Sequence, residues 1–110
     1  MSDRPLSGAQ LDLVATRFKS LAEPSRLRIL QALRQGEATV SGLVERTGFG
    51  QANLSKHLQV LHAAGWVERR KEGVSTWYRL ADEDVLLLCD IMCGRLGREA
   101  ASRRKLFAGR

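Results

Sequence analysis

The chain has 110 residues, 44% of them hydrophobic, which is enough for one compact domain and too few for a catalytic domain plus a regulatory one. Its 18 Lys and Arg against 12 Asp and Glu give a net charge of +6, which favours a polyanionic partner, nucleic acid ahead of an anionic membrane. It shows no apolar run near the roughly 20 residues of a membrane span and no secretory leader. Its two cysteines lie too close together in the chain to form a disulfide framework. We therefore expect a cytoplasmic protein without a membrane partner.

Two helical patterns, separated by a proline, occupy the first third of the chain. Residues 1–10 contain a proline and a glycine, and we expect them to be frayed. In residues 11–22 apolar side chains recur at intervals of three and four, which predicts an amphipathic helix ending before Pro24. A second helix is predicted to begin at Pro24 and to end by Gly36. Its predicted solvent-facing residues are Arg26, Arg28 and Arg34.

A helix-turn-helix pattern follows in the middle of the chain. Thr39 is a candidate N-cap for a short third helix that stops at a glycine turn over residues 47–50. From Leu54 onward, leucines recur at i, i+4 and i+7, which predicts a fourth helix over residues 51–65. A short helix, a glycine turn and a longer helix have the spacing of a helix-turn-helix.

Beyond residue 65 the helical period gives way to alternation. Residues 66–71 and 74–80 are β-rich and flank a glycine turn, which predicts a hairpin. A last helix is predicted over residues 82–104, because three acidic residues at its start suit the positive end of a helix dipole. The predicted fold is therefore mainly α with a two-stranded β wing, a winged helix-turn-helix forming a single domain over residues 1–110.

The outward face of the fourth helix carries short polar and cationic side chains, which match the donors and acceptors of base edges in a major groove. Glutamine and asparagine can pair bidentately with adenine, and lysine can reach guanine or phosphate. Taken alone, this face could also be an ordinary solvated helix surface. The predicted base-contacting residues are Gln51, Asn53, Ser55, Lys56 and Gln59.

A run of three cations leads into the hairpin tip. Long cationic side chains in this position reach phosphates or a minor groove, so we predict that they bind DNA. The alternative is a charged edge strand that only discourages aggregation. The aromatic residues Trp66, Trp77 and Tyr78 are predicted to pack the hairpin rather than to stack on bases. The cations of the run are Arg69, Arg70 and Lys71.

Three stretches resemble the ArsR/SmtB family of repressors: FKSLAEPSRLRIL (residues 18–30), NLSKHLQVL (53–61) and GWVERRKEG (65–73). The resemblance covers roughly residues 11–96. It implies a homodimer, built from the first and last helices, that represses transcription from a palindromic operator in double-stranded DNA. An inducer, often a metal or metalloid, releases such a repressor. The resemblance also implies a packing and hydrogen-bonding role for His57 near the DNA face.

The inducer sites known in this family do not match the residues of this chain. The Cys-x-Cys pattern of arsenic and cadmium sensors is replaced by Thr39 and Ser41, and the second-helix cysteine of sulfide-responsive members by Gln31. Two of the four positions that bind zinc in the last helix hold Arg95 and Arg98, and arginine has no lone pair to offer a metal. The sensor, if there is one, must therefore lie elsewhere.

Cys89 and Cys93 remain as candidate inducer-sensing and metal-binding residues. Residues four apart share one helix face with Cβ atoms about 5–6 Å apart, so both sulfurs can bind one soft ion such as As(III). A disulfide prefers a Cβ separation of about 3.8 Å, so oxidation would deform the helix. We predict sensing of a soft metal or metalloid, an oxidant or a reactive sulfur species, with no cofactor required. The alternative is core packing, because both thiols share an apolar stripe with Leu88, Met92 and Leu96.

These features predict a sequence-specific DNA-binding repressor and not an enzyme. Both histidines, His57 and His62, lie in the predicted fourth helix, and no nucleophile–base–carboxylate or metal-ligand set is apparent. Two alternatives stay open. One is a repressor of the same family without a thiol sensor, and the other is an architectural protein that binds DNA without sequence preference.

Overall fold

The computed structural model describes residues 3–108, which form five α-helices and one three-stranded sheet. In chain order the elements are α1 (Gly8–Leu21), α2 (Pro24–Leu33), β1 (Ala38–Thr39), α3 (Val40–Thr47), α4 (Gln51–Ala63), β2 (Val67–Glu72), β3 (Ser75–Leu80) and α5 (Asp84–Ala108). Helices α3 and α4 form the helix-turn-helix, and the β2–β3 hairpin is the wing, as predicted. Across the described residues, no helix combines the length and apolar character needed to cross a membrane.

The start of α1 departs from the sequence prediction. Residues 8–10, expected to be frayed, are helical. Ser7 Oγ accepts a hydrogen bond from the Gln10 amide at 3.1 Å, and Gln10 Oε1 accepts one from the Ser7 amide at 2.8 Å. This capping box satisfies amides that an uncapped helix would leave without a partner. Residues 1 and 2 lie outside the described part of the chain.

The helix-turn-helix forms where the sequence predicts it. The Thr39 hydroxyl accepts a hydrogen bond from the Gly42 amide at 3.1 Å and caps α3. Gly48 ends α3 with a φ of 76°, a left-handed conformation that a β-carbon would strain. This turn directs the chain into α4, which ends at Ala63, two residues before the predicted end.

Removing the cap of α3 tests this account of the helix-turn-helix. Thr39→Ala should lower the free energy of unfolding by about 1 kcal/mol, because an amide of the first turn loses its acceptor. Thr39→Ser retains the hydroxyl and should stay close to the parent protein. Urea denaturation followed by circular dichroism measures both, and equal losses in the two variants would show that the cap does not stabilise α3.

The prediction of a two-stranded sheet is wrong by one strand. Strand β1 pairs antiparallel with β3, so the order across the sheet is β1-β3-β2, and Trp77 lies between Thr39 on one side and Arg70 on the other. Strand β1 has two residues, too few to show an alternating pattern. The sheet therefore ties the wing to the chain segment that leads into α3.

One hydrophobic core lies beneath the helix-turn-helix and the base of the wing. Residues of α2, α3, α4, β2 and α5 meet there with almost no exposed surface. The largest fully buried side chains are Ile29, Leu30, Leu43, Leu54, Leu58, Leu61, Val67 and Val85. Tyr78 is buried and Trp66 packs against the core, in agreement with their predicted packing role.

Helix α5 packs on this core only through its first turn. It runs from Asp84 to Ala108, rather than over the predicted 82–104, and only Val85 and Leu86 are buried. Residues 91–108 are exposed in a single chain. The apolar stripe of α5, with so little cover in one chain, is a natural surface for a second chain.

Candidate nucleic-acid interface

Helix α4 separates apolar and polar residues on opposite faces. The leucines at 54, 58 and 61 are fully buried, which fixes the helix on the core. The opposite face presents amide and ammonium groups to solvent, as a helix in a major groove requires. Of the five predicted base-contacting residues, Ser55 is half-buried, and the exposed four are Gln51, Asn53, Lys56 and Gln59.

His57 lies on the inner side of α4 and is 8% exposed. Its Nδ1 accepts a hydrogen bond from Arg26 Nε at 3.2 Å, and its Nε2 lies 3.7 Å from Glu23 Oε2. Glu23 is also the N-cap of α2, accepting from the Arg26 amide at 3.3 Å. The imidazole therefore links α4 to the start of α2.

The sequence prediction misplaced Arg26, the partner of His57 in this contact. It was expected on the solvent side of α2, but it is half-buried because its guanidinium turns toward α4 and the end of α1. Arg26 Nη1 donates to the Ser20 carbonyl at 3.3 Å, while the Ser20 hydroxyl accepts from Trp66 Nε1 at 2.7 Å. A helical period assigns a face to a residue but does not show that a long side chain bends back.

The three cations of the wing are not equivalent. Alternation along β2 places Arg69 and Lys71 on one side of the strand and Arg70 on the other. Arg70 donates to Glu37 Oε1 at 2.7 Å and forms a second ion pair with Glu72. Its guanidinium carbon also lies 5.5 Å from the centre of the Trp77 ring. Within residues 3–108, no ion pair involves Arg69 or Lys71.

The Glu37–Arg70 ion pair connects the segment before β1 to the wing, and we expect its contribution to stability to depend on pH. The pKa of Glu37 is lowered from its usual 4.5, first because its carboxylate accepts hydrogen bonds from Arg70 and then through the nearby positive charge. A lowered pKa in the folded state stabilises the fold above the unfolded pKa, and this stabilisation is lost as the pH falls through the folded value.

Glu37→Gln should therefore lower the melting temperature slightly at pH 7. The difference from the parent protein should shrink as the pH falls below about 4.5 and vanish below the lowered pKa of folded Glu37. The melting temperatures of both proteins are measured in parallel between pH 3 and pH 7. Low salt is used because salt screens an exposed ion pair such as this one. A difference in melting temperature that persisted unchanged at pH 3 would show that Glu37 stabilises the fold by something other than its charge.

The two candidate sensor thiols lie on the part of α5 that a single chain leaves uncovered. Cys89 is half-buried and Cys93 is exposed. Their neighbours on the apolar stripe, Leu88, Met92 and Leu96, are 39%, 57% and 56% exposed. In a single chain, therefore, Cys93 is not a core residue. Within residues 3–108, no group of three or more His, Cys, Asp or Glu side chains is placed to hold a metal ion.

A second apolar surface faces this stripe from the other end of the chain. Side chains of α1 and α5 border an open groove of about 300 Å³ beside Trp66. Val14 and Phe18, which the helical period places on the apolar face of α1, are 39% and 54% exposed. The residues lining the groove are Leu13, Val14, Arg17, Phe18, Trp66 and Leu88.

A helix held by its leucines, with an amide-rich outer face and a cationic hairpin beside it, defines a winged helix-turn-helix DNA-binding protein. Comparison with known proteins identifies the family. The family described as bacterial regulatory protein, arsR family, matches residues 23–69, from the N-cap of α2 into β2. The chain belongs to the ArsR family, whose members are DNA-binding transcriptional regulators and not enzymes.

Three relatives show the extent of the similarity. An HTH-type transcriptional regulator of Mycobacterium tuberculosis is 45% identical over 79% of this chain, which spans 38% of that protein's length. A homodimeric winged helix-turn-helix DNA-binding domain of Mycobacterium bovis, a possible ArsR-family regulator, is 39% identical, with 91% of both chains covered and a TM-score of 0.75. The AntR antimony-specific transcriptional repressor is 29% identical, covers 92% of this chain and 93% of its own, and has a TM-score of 0.77.

Proposed function

We propose that the protein is a homodimeric transcriptional repressor that occupies operator DNA and is released by a thiol-directed signal at Cys89 and Cys93. The observation that carries the proposal is the outward face of α4, on which Gln51, Asn53 and Lys56 are exposed while the opposite face is fully buried. Such a repressor acts in the cytoplasm, where bacterial DNA lies.

Sequence recognition falls to α4 in the major groove. Gln51 and Asn53 lie in its first turn, the part of a recognition helix that approaches base edges most closely. Their amides can pair bidentately with adenine, and Lys56, one turn further on, can reach guanine or a phosphate. Phosphate contacts by the wing supply affinity that does not depend on sequence.

Dimerisation is supported by the two apolar surfaces that a single chain leaves open. Phe18 on α1 and Leu88, Met92 and Leu96 on α5 are exposed, although groups of this kind are normally covered in a soluble domain. The relative from Mycobacterium bovis is a homodimer. A two-fold dimer places two α4 helices about one helical turn of DNA apart and therefore reads a palindrome.

The wing is proposed to bind phosphates through Arg69 and Lys71, with Arg70 anchoring the strand. Arg69→Ala and Lys71→Ala should each weaken binding to every DNA sequence and reduce the slope of log affinity against log salt by about 1. Arg70→Ala serves as the internal comparison. The charge of Arg70 is already matched by Glu37 and Glu72, so this variant should change the salt-dependence slope less. Equal slope changes for all three variants would show that Arg70 leaves its carboxylates to bind DNA.

Thiol sensing is supported by the exposure and spacing of the cysteines. Two thiols on consecutive turns of one face can both bind one soft ion. Cys93 is exposed in a single chain, on the helix that we assign to the dimer contact. An ion or an oxidation that bends α5 there would alter the angle between the two recognition helices. AntR, a structural relative, is described as antimony-specific.

The proposal is tested by comparing operator and random DNA. A duplex selected by the protein from a random pool, and a scrambled duplex of equal length, are titrated at one salt concentration. A repressor should prefer the selected duplex by about a thousandfold or more. Equal affinities would identify an architectural protein. A strong preference that arsenite, zinc, persulfide and peroxide all leave intact would identify a repressor of this family without a thiol sensor.

A further inference from the structure

The contact between Arg26 and His57 joins the start of α2 to the middle of the recognition helix. The two residues are 31 positions apart in the chain and meet at 3.2 Å between Arg26 Nε and His57 Nδ1. Neither side chain belongs to the outward face of α4. From this contact we infer that Arg26 is a positioning residue for base recognition, acting on α4 through His57. The inference rests on the proposed function, since it concerns how the same helix reads operator DNA.

The hydrogen bond fixes the imidazole in one tautomer. A guanidinium only donates, so Nδ1 must carry the accepting lone pair and the neutral ring carries its proton on Nε2. The Nε2 atom lies 3.7 Å from Glu23 Oε2. Both ring nitrogens of His57 therefore face groups of α2, and the ring cannot turn without losing the Arg26 contact.

A fixed ring on the inner side adds a polar constraint on the rotation of α4, which its buried leucines already hold on the core. His57 follows Asn53 by one helical turn and directly follows Lys56, so a rotation at this point moves both recognition residues. Bidentate contacts to base edges require well-aligned donors and acceptors. Long cationic side chains are flexible and can still contact a phosphate when the helix is displaced. Loss of the Arg26 contact should therefore lower sequence preference more than overall affinity.

The guanidinium of Arg26 also connects α2 to the end of α1 and, through Ser20, to the entrance of the wing. Arg26 Nη1 donates to the Ser20 carbonyl at the end of α1, and the Ser20 hydroxyl accepts from Trp66 at the entrance to the wing. Within the described chain, no buried side-chain nitrogen or oxygen lacks a hydrogen-bond partner. A satisfied, partly buried network of this kind favours one arrangement of the helices that it joins.

Two substitutions at Arg26 separate this role from packing. Glutamine places an amide nitrogen at the same number of bonds from Cα as Arg26 Nε, and so keeps a donor for His57. Methionine places a methyl group there and keeps similar bulk without a donor. Arg26→Met should reduce the operator-to-random affinity ratio about tenfold or more, the scale of one bidentate base contact. Arg26→Gln should retain most of that ratio, and affinity for random DNA should stay nearly constant in both.

The affinities are measured by fluorescence anisotropy with full-length protein, and melting temperatures are recorded in parallel. If both variants lose stability but keep the wild-type ratio, Arg26 is only structural and the inference is overturned. Equal loss of the ratio in both variants also overturns it, because the donor to His57 would then be irrelevant. If wild-type protein itself shows no preference, the proposed function fails instead.

A second pair of variants at the acceptor keeps the test decisive should Arg26→Met fail to fold. His57→Asn retains an oxygen acceptor close to the position of Nδ1, and His57→Leu removes the acceptor while filling the site with an apolar side chain. Only His57→Leu should lose operator preference. Retention of full preference by His57→Leu would overturn the inference.

Discussion

Replacing Gln51 and Lys56 together by alanine should remove most of the preference for operator DNA and leave the helical content unchanged. Both side chains are exposed on α4, so their loss creates no cavity in the core. A bidentate base contact contributes about 1–3 kcal/mol of discrimination, so two lost contacts should lower the operator-to-random ratio roughly 30-fold or more. Anisotropy titrations measure the ratio, and circular dichroism checks the fold.

A matched control is available on α2 and the loop that follows it. Arg28→Ala with Gln35→Ala removes one cation and one amide from exposed positions outside α4 and the wing. This double variant carries the same charge change and should keep the wild-type ratio. If the α4 variant kept its preference as well, the assignment of α4 as the recognition helix would be wrong.

Replacing Cys89 and Cys93 together by serine should abolish the response to inducer while leaving operator affinity in place. Serine keeps nearly the same size but provides no thiolate for a soft ion and cannot form a disulfide. Neither residue lies on α4 or the wing, so DNA contacts are unaffected. Wild-type protein bound to labelled operator is titrated with arsenite, zinc, persulfide or peroxide, and the double variant is compared under the effective reagent.

Met92→Leu provides the control for this second experiment. It removes a sulfur atom from the same exposed stripe of α5 without changing either thiol. It should dissociate from operator at the wild-type concentration of inducer. If the cysteine double variant also dissociated at that concentration, the signal would act elsewhere in the protein.

The helices and the wing could be predicted because their periodicity is local. The apolar spacing around Leu54, Leu58 and Leu61 defines both the existence of α4 and its buried face, and it leaves the proposed base-contacting residues on the outer face. The capping hydroxyl of Thr39 marked the start of α3. Strand β1 was missed because two residues cannot display a period, and its partner β3 lies about 40 positions away in the chain.

The side-chain partners of the site could not be predicted in the same way. That Arg70 binds DNA together with its neighbours stays a prediction, but its partner Glu37 could not be foreseen, because it lies 33 positions away and is brought near by the pairing of β1 with β3. Arg26 bends from its predicted solvent face to His57, which lies 31 positions away. Residue type and local period define which groups are available, whereas the tertiary fold determines which of them are already paired.

The central claim is that α4 reads bases in the major groove of a two-fold operator. Methylation interference on the selected duplex tests it most directly, because methyl groups on guanine N7 project into the major groove. The account predicts two symmetrical sets of interfering guanines about 10 base pairs apart, weakened by Lys56→Ala wherever lysine contacts guanine. A single asymmetric set, or binding that tolerates methylation throughout while remaining sensitive to salt, would contradict it.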